Sequence, residues 1–396
     1  MKKFFTRFFV ASAFLLATPQ ISAEEPAFSF TCLPYLQNVT GTEATVLWAT
    51  SADAVSWIEI APDDNSHFYA TERPKFFSTT LGKKNITTSH RITITGLQPN
   101  TTYRYRICSR QVTNNGESTI RYGRTIASDV YGRAPLRFRT ASPQQKAQHF
   151  IVVNDIHENA QKYENLYNTI NHSSLDFIVL NGDMVNNMNT LEQAYNGYLN
   201  TSSKLFATSL PFYMVRGNHE TRGTQSQKYM ELYSTPTGKP YYVERRGDLC
   251  FVVLDGGEDK PDTDIEYHDL AAFDQYRTEE AEWLKNVLSS DEYRTAPIRI
   301  VFIHVPPATK DAWHGEIEVN EKIIPLLNNA GVDLMLCGHL HTYQYREKGE
   351  YGVNFPIIVN SNNTLLDITT ANGKINVKMI NEQGEQLKQF QFNTTH

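Results

Sequence analysis

The chain has 396 residues, of which 40% are hydrophobic and 20% are charged, so its composition is that of a globular protein rather than a disordered or membrane one. This length suits two or three domains. The formal net charge of −6 at pH 7 argues against broad electrostatic binding to nucleic acid or to anionic membranes, and we expect no nucleic-acid partner.

The first 23 residues have the pattern of an export signal. Lys2, Lys3 and Arg7 precede an apolar run over residues 8–17 that is too short to span a bilayer, and Ile21-Ser22-Ala23 offers a cleavage site. The alternative is a membrane anchor, but no second hydrophobic span follows. We therefore expect a bacterial-type signal peptide over residues 1–23, its removal, and a secreted or periplasmic protein without a membrane span. Its loss removes three positive charges and makes the mature chain more acidic.

An all-β domain is predicted over residues 28–140. Apolar and polar residues alternate in Ala44–Trp48 and in Arg91–Thr95. The segment Leu97–Ile107 resembles the fibronectin type III signature, in which a tyrosine corner, here Tyr103, ties a loop to the next strand. Trp48 would be the core tryptophan of this sandwich. We find no cluster of metal ligands in this segment and interpret it as a structural domain.

A second domain of α/β type is predicted over residues 149–396, after a polar linker over residues 141–148. Helix-like stretches such as Glu279–Leu288 and Val319–Leu327 alternate with apolar strands, and residues 365–392 have a β pattern. The predicted strands are Phe150–Val153, Phe177–Leu180, Phe212–Val215, Cys250–Leu254, Ile298–Ile303 and Leu334–Leu336.

Five of these strands lead directly into polar residues that can bind metals. In open α/β folds the carboxyl ends of the strands form the binding crevice, so these residues should converge. Carboxylate oxygens and imidazole nitrogens are ligands that divalent metals prefer, and glycines at 182, 217 and 338 would let the backbone turn or approach closely. The residues at the five strand ends are Asp155 and His157; Asp183; Asn218, His219 and Glu220; His304; and His339 and His341.

Each of these motifs is weak alone. Gly-Asp is a common turn, a loop aspartate often caps a helix, and a lone histidine is often a satisfied core residue. All five motifs in this order, each at the end of a strand, indicate a metal site.

With these motifs the sequence resembles the calcineurin-like metallophosphoesterases over about residues 150–345, and the domain in front makes it most similar to the purple acid phosphatase branch. The resemblance implies an αββα four-layer sandwich and two divalent metal ions. One ion would be held by Asp155, His157, Asp183 and His341, and the other by Asp183, Asn218, His304 and His339, with Asp183 bridging.

The sequence departs from that branch at two positions. Asn186 stands where purple acid phosphatases carry the tyrosine that binds ferric iron, and His157 stands where they usually carry glycine. We therefore expect a colourless site with Mn, Fe or Zn in place of the purple one.

The resemblance implies a metal-dependent phosphoric ester hydrolase, acid phosphatase-like, in which a metal-bound hydroxide attacks phosphorus directly. His219, beside Asn218, is the candidate for stabilising phosphoryl oxygens or protonating the leaving group, and Glu220 would orient it. Alternatively, Glu220 is a surface carboxylate. His314, ten positions after His304, resembles a second histidine near the leaving group, and a solvent-exposed loop histidine is the competing interpretation.

The first hypothesis is hydrolysis of phosphomonoesters. Phosphodiester cleavage, including cyclic nucleotides or lipid head groups, is the alternative on the same scaffold, and a non-catalytic cell-surface binding protein is the third. Substrate specificity would depend on loops such as Gly256–Arg277, whose sequence contains no motif that identifies a substrate.

The four cysteines are expected to have structural roles. Because export permits disulfides, Cys32 and Cys108 could bridge the two sheets of the first domain. Cys250 and Cys337 lie in apolar strand patterns and are expected to be buried free thiols.

Overall fold

The computed structural model describes residues 1, 27–116, 118–131, 135–309 and 311–394. The predicted signal peptide lies outside the described residues apart from Met1. No helix in the part of the chain that the structure describes is long and apolar enough to span a bilayer.

The N-terminal domain is all-β, as predicted. Its strands are β1 (Phe30–Gln37), β2 (Ala44–Pro62), β3 (Lys75–Phe77), β4 (Thr79–Thr80), β5 (Lys83–Lys84), β6 (Thr87–Ile94), β7 (Thr102–Asn115), β8 (Ile120–Ala127) and β9 (Leu136–Arg139). The central strand β2 pairs with β1 and β6 through its first half and with β3 and β7 through its second half. The register of the β2–β6 pair shifts between Ala49 and Ala54.

Two aromatic residues have the roles that the sequence predicted. The backbone N–H of Gln98 donates to Tyr103 Oη at 2.9 Å, which ties the loop before β7 to that strand. Trp48 is buried, and its Nε1 donates to Ser109 Oγ at 2.9 Å. The more specific assignment to the fibronectin type III fold stays a prediction.

The predicted disulfide between Cys32 and Cys108 is wrong, because both cysteines are free and buried. Cys32 lies on the part of β1 that packs against the second domain, in one core with Tyr35 and Tyr195. Cys108 lies in β7, where it pairs with Trp57 and Ala127. Cys250 and Cys337 are buried free thiols, as predicted.

The second domain contains two six-stranded sheets. Their strands are β10 (Gln148–Val153), β11 (Phe177–Asn181), β12 (Phe212–Val215), β13 (Tyr242–Arg246), β14 (Leu249–Val253), β15 (Ile298–Phe302), β16 (Leu334–Cys337), β17 (Gln344–Arg346), β18 (Ile357–Val359), β19 (Thr364–Ala371), β20 (Lys374–Asn381) and β21 (Gln386–Asn393). The first sheet has the order β12-β11-β10-β19-β20-β21 and the second has the order β13-β14-β15-β16-β18-β17.

The parallel strands of both sheets are buried on both faces, which explains why they read as continuous apolar runs. In β10, for example, Phe150 and Val152 face the second sheet, whereas Ile151 and Val153 face the helical layer outside the first sheet. The described helices are α1 (Ala160–Tyr167), α2 (Leu191–Ala194), α3 (Asn200–Ser202), α4 (Phe273–Ser289), α5 (Asp291–Arg294), α6 (His314–Lys322) and α7 (Ile324–Leu327).

Helices therefore cover both outer faces, and the predicted four-layer αββα order is confirmed. Helices α4 to α7 pack outside the second sheet, and α1 with the partly π-helical segment 191–207 packs outside the first. The helix expected over residues 319–327 is divided at Ile323 between α6 and α7. Pro325 lies in the first turn of α7, where its missing N–H costs no hydrogen bond.

Candidate metal centre

The parallel strands of both sheets end at the same edge of the sandwich, and this arrangement brings all seven predicted ligands together. Strands β10, β11 and β12 run parallel in the first sheet, and β14, β15, β16 and β18 run parallel in the second. The loops after β10, β11, β12, β15 and β16 carry the predicted ligands. Their side chains form overlapping groups of possible metal ligands in which Asp183 takes part more than once.

The backbone at these ligands is unusual, because five of the seven residues have a positive φ between 48° and 73°. These residues are Asp155, His157, Asp183, His339 and His341. A left-handed backbone is uncommon for residues other than glycine, and such strained positions concentrate at functional sites.

Three glycines leave room for the ligands. A Cβ on Gly182 would lie 2.3 Å from His304 Nδ1, and one on Gly217 would lie 2.1 Å from Asp183 Oδ1. A Cβ on Gly338 would lie 2.9 Å from Asp155 Oδ2. The sequence prediction of close backbone approach at these three positions is confirmed.

The first group of ligands surrounds the fully buried Asp155. Its Oδ1 lies 3.3 Å from His341 Nε2 and 4.0 Å from His157 Nε2. The two imidazole Nε2 atoms are 3.1 Å apart. All three residues thus direct a donor atom toward one small volume.

The second group surrounds Asp183. Its Oδ2 lies 3.0 Å from His304 Nε2 and 3.2 Å from one atom of the Asn218 amide. That amide atom is also 3.1 Å from His339 Nδ1. With the amide oxygen at this position, three acceptor atoms face one another, which is the arrangement that a bound cation stabilises. With the amide nitrogen at this position, Asn218 would donate to His339 Nδ1 and Asp183 Oδ2, which is the arrangement expected without a metal.

The polar atoms at the centre are buried and closely spaced. Asp155 Oδ1 and His304 Nε2 make no well-aligned hydrogen bond, although His341 Nε2 lies 3.3 Å from the first and Asp183 Oδ2 lies 3.0 Å from the second. Burial disfavours the His304 imidazolium, yet Asp183 and Asp155 raise its pKa to about 10, which shows how strongly the two carboxylates attract a cation. Burial and His304 lower the pKa of His339 to about 4, so this ring is a neutral ligand. The donor set therefore fits two divalent ions.

His219 lies where the sequence placed it. Its backbone N–H donates to Asp183 Oδ1 at 3.0 Å, and its Nδ1 lies 2.8 Å from the carbonyl oxygen of Asn186. Its Nε2 faces Asp183 Oδ2 at 3.9 Å. Asn186 therefore supports His219 through its backbone, and its side-chain amide contacts the carbonyl of His157.

Glu220 is fully buried, so its interpretation as a surface carboxylate is wrong, and its hydrogen bonds go to backbone N–H groups rather than to His219. Its Oε2 accepts N–H groups from Asp183 at 2.9 Å and from Gly217 at 2.8 Å. Its Oε1 accepts N–H groups from Met184 at 2.7 Å and from Val185 at 3.4 Å. Glu220 thus fastens the loops after β11 and β12 to each other.

The structure does not place His314 among the metal ligands. It begins α6, and its Nε2 lies 2.8 Å from Asp274 Oδ1 of α4. Within the described residues it forms a separate group with Asp274 and Glu318. The predicted role beside the leaving group is therefore not supported, and the side chain is a partly exposed hydrogen-bond partner of Asp274.

Sequence reasoning missed two sets of residues beside the ligands. Asn154 Nδ2 donates to Asp155 Oδ2 at 2.5 Å, and Asn360, at the end of β18, donates to Asn154 Oδ1 at 2.7 Å. On the other side, Asp259 Oδ2 lies 3.8 Å from His339 Nε2. The strand-end pattern could have revealed Asn360, whereas Asp259 lies in an irregular loop that carries no such signal.

Comparison with known proteins agrees with this site. Residues 148–343 match the family model of the calcineurin-like phosphoesterases, and residues 34–125 match that of the purple acid phosphatase N-terminal domain. The chain is 24% identical to purple acid phosphatase 15 of Arabidopsis thaliana, over 64% of this chain and 49% of that protein. It is 27% identical to purple acid phosphatase 22 of the same plant, over 64% and 53%.

A third relative is the serine/threonine-protein phosphatase CPPED1 of Mus musculus, 24% identical over 47% of this chain and 58% of that protein. The chain spans about half the length of the curated relatives it matches. The two family models cover both domains and include all seven candidate ligands. The chain therefore belongs to the calcineurin-like phosphoesterases, a family of metal-dependent phosphoric ester hydrolases, and carries the N-terminal domain of purple acid phosphatases.

Proposed function

We propose that this protein is an exported hydrolase of phosphomonoesters with a two-metal centre formed by the seven ligands. The observation that carries the proposal is the convergence of two buried carboxylates on His304 Nε2, which lies 3.0 Å from Asp183 Oδ2 and 3.8 Å from Asp155 Oδ1. Two buried carboxylates this close to each other need positive charge beside them, and divalent ions would supply it when bound.

We infer a role for each residue from the two groups of ligands. Asp155, His157 and His341 would hold one ion, while Asn218, His304 and His339 would hold the other, and Asp183 would contact both. When bound, two divalent ions supply an activated water and neutralise the charge of the phosphoryl group. The chain's own residues then bind and orient the ester.

His219 is the candidate for proton transfer. The carbonyl of Asn186 accepts the Nδ1 proton, which leaves Nε2 directed toward the ligand cluster, and the side chain is partly exposed. In its imidazolium form His219 would donate from Nε2 to a phosphoryl oxygen or to the leaving oxygen.

The test uses protein stripped with a chelator and reloaded separately with Mn, Zn, Fe and Ca. We expect activity on nitrophenyl phosphate to disappear with the metal and to return with at least one ion. His219→Asn should lower kcat by about 100-fold or more without changing the metal content, while the exposed His67→Asn should match the wild type. A faster rate on bis(nitrophenyl) phosphate would make diester cleavage the activity, and absence of bound metal and of hydrolysis would refute the proposal.

A further inference from the structure

The two ring nitrogens of His339 have different surroundings. Nδ1 faces the ligand cluster, 3.1 Å from the Asn218 amide. Nε2 points the other way, toward Asp259 Oδ2 at 3.8 Å. His339 is a candidate metal ligand through Nδ1, so the group that faces Nε2 decides which tautomer the ring adopts.

His304 shows how the other ring of this pair is held. Its Nδ1 donates to the carbonyl oxygen of Asn181 at 2.7 Å, so Nε2, 3.0 Å from Asp183 Oδ2, is the nitrogen that faces the ligand cluster. For His339, the acceptor that faces the outer nitrogen among the described contacts is the carboxylate of Asp259. The two histidines thus have opposite inward nitrogens and different kinds of outer partner.

Asp259 is fixed in place from several sides although it lies in an irregular loop. Its side chain is buried, and its Oδ1 accepts from Arg222 Nη2 at 3.1 Å. Arg222 in turn binds Glu258 through Nε at 2.8 Å and Nη2 at 2.7 Å. The backbone carbonyl of Asp259 accepts from Gly315 N at 2.7 Å. Burial of this charged trio is expensive, which favours a role beyond folding.

We propose that Asp259 is a positioning residue that accepts the Nε2 proton of His339 and so leaves the Nδ1 lone pair to the metal. Arg222 and Glu258 hold the carboxylate in place. The proposal rests on the two-metal centre proposed above. The present 3.8 Å separation requires a shift of about 1 Å to become a hydrogen bond. A carboxylate in this place also makes the imidazole a stronger ligand.

The experiment compares Asp259→Asn with Asp269→Asn, an exposed residue of the same loop with the same charge change. Mn²⁺ and Zn²⁺ are titrated separately into chelator-stripped protein in competition with a chromophoric chelator. We expect Asp259→Asn to weaken one of the two ions by about 10- to 100-fold and to leave the other unchanged. Asp269→Asn should bind both ions as the wild type does.

A second readout is the tautomer of His339, followed by ¹⁵N chemical shifts of the imidazoles. In the metal-free wild type we expect the His339 proton on Nε2, and in Asp259→Asn we expect a mixture of the two tautomers. Loss of the salt bridge between Asp259 and Arg222 would not by itself change the tautomer of His339. Asp259→Ser, with its thermal unfolding recorded in parallel, serves as a second variant. If the wild type binds two ions and the Asp259 variants bind both ions as tightly as the wild type does, this inference is overturned and the proposed function is not. Wild-type protein that binds no ion would overturn the proposed function as well.

Discussion

Glycines and a buried glutamate shape the candidate centre as much as the ligands do. Gly217 has no room for a side chain, and Glu220 binds the backbone of the two loops that carry Asp183 and Asn218. Neither residue offers an atom to a substrate. The precision of the ligand positions therefore depends on residues that a search for reactive side chains overlooks.

Replacing Gly217 with alanine tests this dependence. The new Cβ would lie 2.1 Å from Asp183 Oδ1 and 2.4 Å from its backbone nitrogen, so the loop that carries Asp183 must move. Displacements of about 1 Å can cost about 100-fold in rate, and we expect at least that loss in kcat/KM together with lower metal content. Gly41→Ala, where the nearest atom is 3.5 Å away, is the matched control. Wild-type metal content and rate in Gly217→Ala would contradict the expectation.

The sequence revealed the ligands because each follows an apolar strand at a fixed edge. It could not reveal the direction of a side chain in an irregular segment. His314 was misplaced because it lies ten positions after His304, beyond the end of the predicted strand, and its ring pairs with Asp274 instead. Asp259 was missed for the same reason, since its position depends on Arg222 and Gly315 rather than on a strand.

At the scale of elements, asparagines connect the two sheets at the edge that carries the ligands. Asn181, at the end of β11, donates to the carbonyl of Leu336 in β16 at 3.3 Å. Asn154 after β10 and Asn360 after β18 hydrogen-bond to each other across the sandwich. These bonds fix the distance between the loops of the first sheet and those of the second.

Asn360→Asp should loosen this connection. The Nδ2 of Asn360 donates to Asn154 Oδ1 at 2.7 Å and to Thr364 O at 2.9 Å, and an aspartate oxygen there would face two acceptors inside the protein. We expect the free energy of unfolding to fall by about 3 kcal/mol, measured by denaturant titration. Asn363→Asp, exposed in the same loop, should change it little. Equal stability of both variants would show that the connection is unimportant.

Strand and helix positions were largely predictable because burial on both faces produces long apolar runs. The αββα order itself was implied by the family resemblance. The exceptions are short or interrupted elements. Strand β18 has only three residues and was not predicted, and the helix expected over residues 319–327 is divided near Pro325. In both cases tertiary contacts determine where the strand or helix begins and ends, and the local sequence pattern contains no information about those contacts.

At the scale of the whole molecule, the two domains share a core. Tyr35 Oη donates to the carbonyl of Leu232 at 2.8 Å, and Tyr105 Oη donates to that of Thr208 at 2.7 Å. Cys32 lies in this shared core, which explains why it is unavailable to Cys108. The disulfide was a reasonable expectation for a chain with the pattern of an export signal, but the cysteine spacing does not reveal how β1 is oriented against the second domain.

All four thiols should therefore be unreactive in the native protein. Burial raises the pKa of Cys250 and of Cys337 to about 12, so little thiolate is present at neutral pH. We expect almost no reaction of the native protein with an aromatic disulfide reagent, and four thiols per chain in denaturant without reductant. A reduced sample is the control. If only two thiols per chain react in the unreduced, denatured protein, the other two cysteines form a disulfide and this prediction is wrong.

The long strand β2 also has a consequence for the order of events in folding. Ala44–Ala49 pairs with residues 89–94, and Ala54–Pro62 pairs with residues 103–111. Both pairings close large loops, so they form late and slowly compared with local contacts. Until residue 94 has been synthesised, β2 can gain only its nearby partners β1 and β3, and its second half gains β7 only after residue 111. The two halves of β2 therefore obtain their distant partners one after the other as the chain emerges.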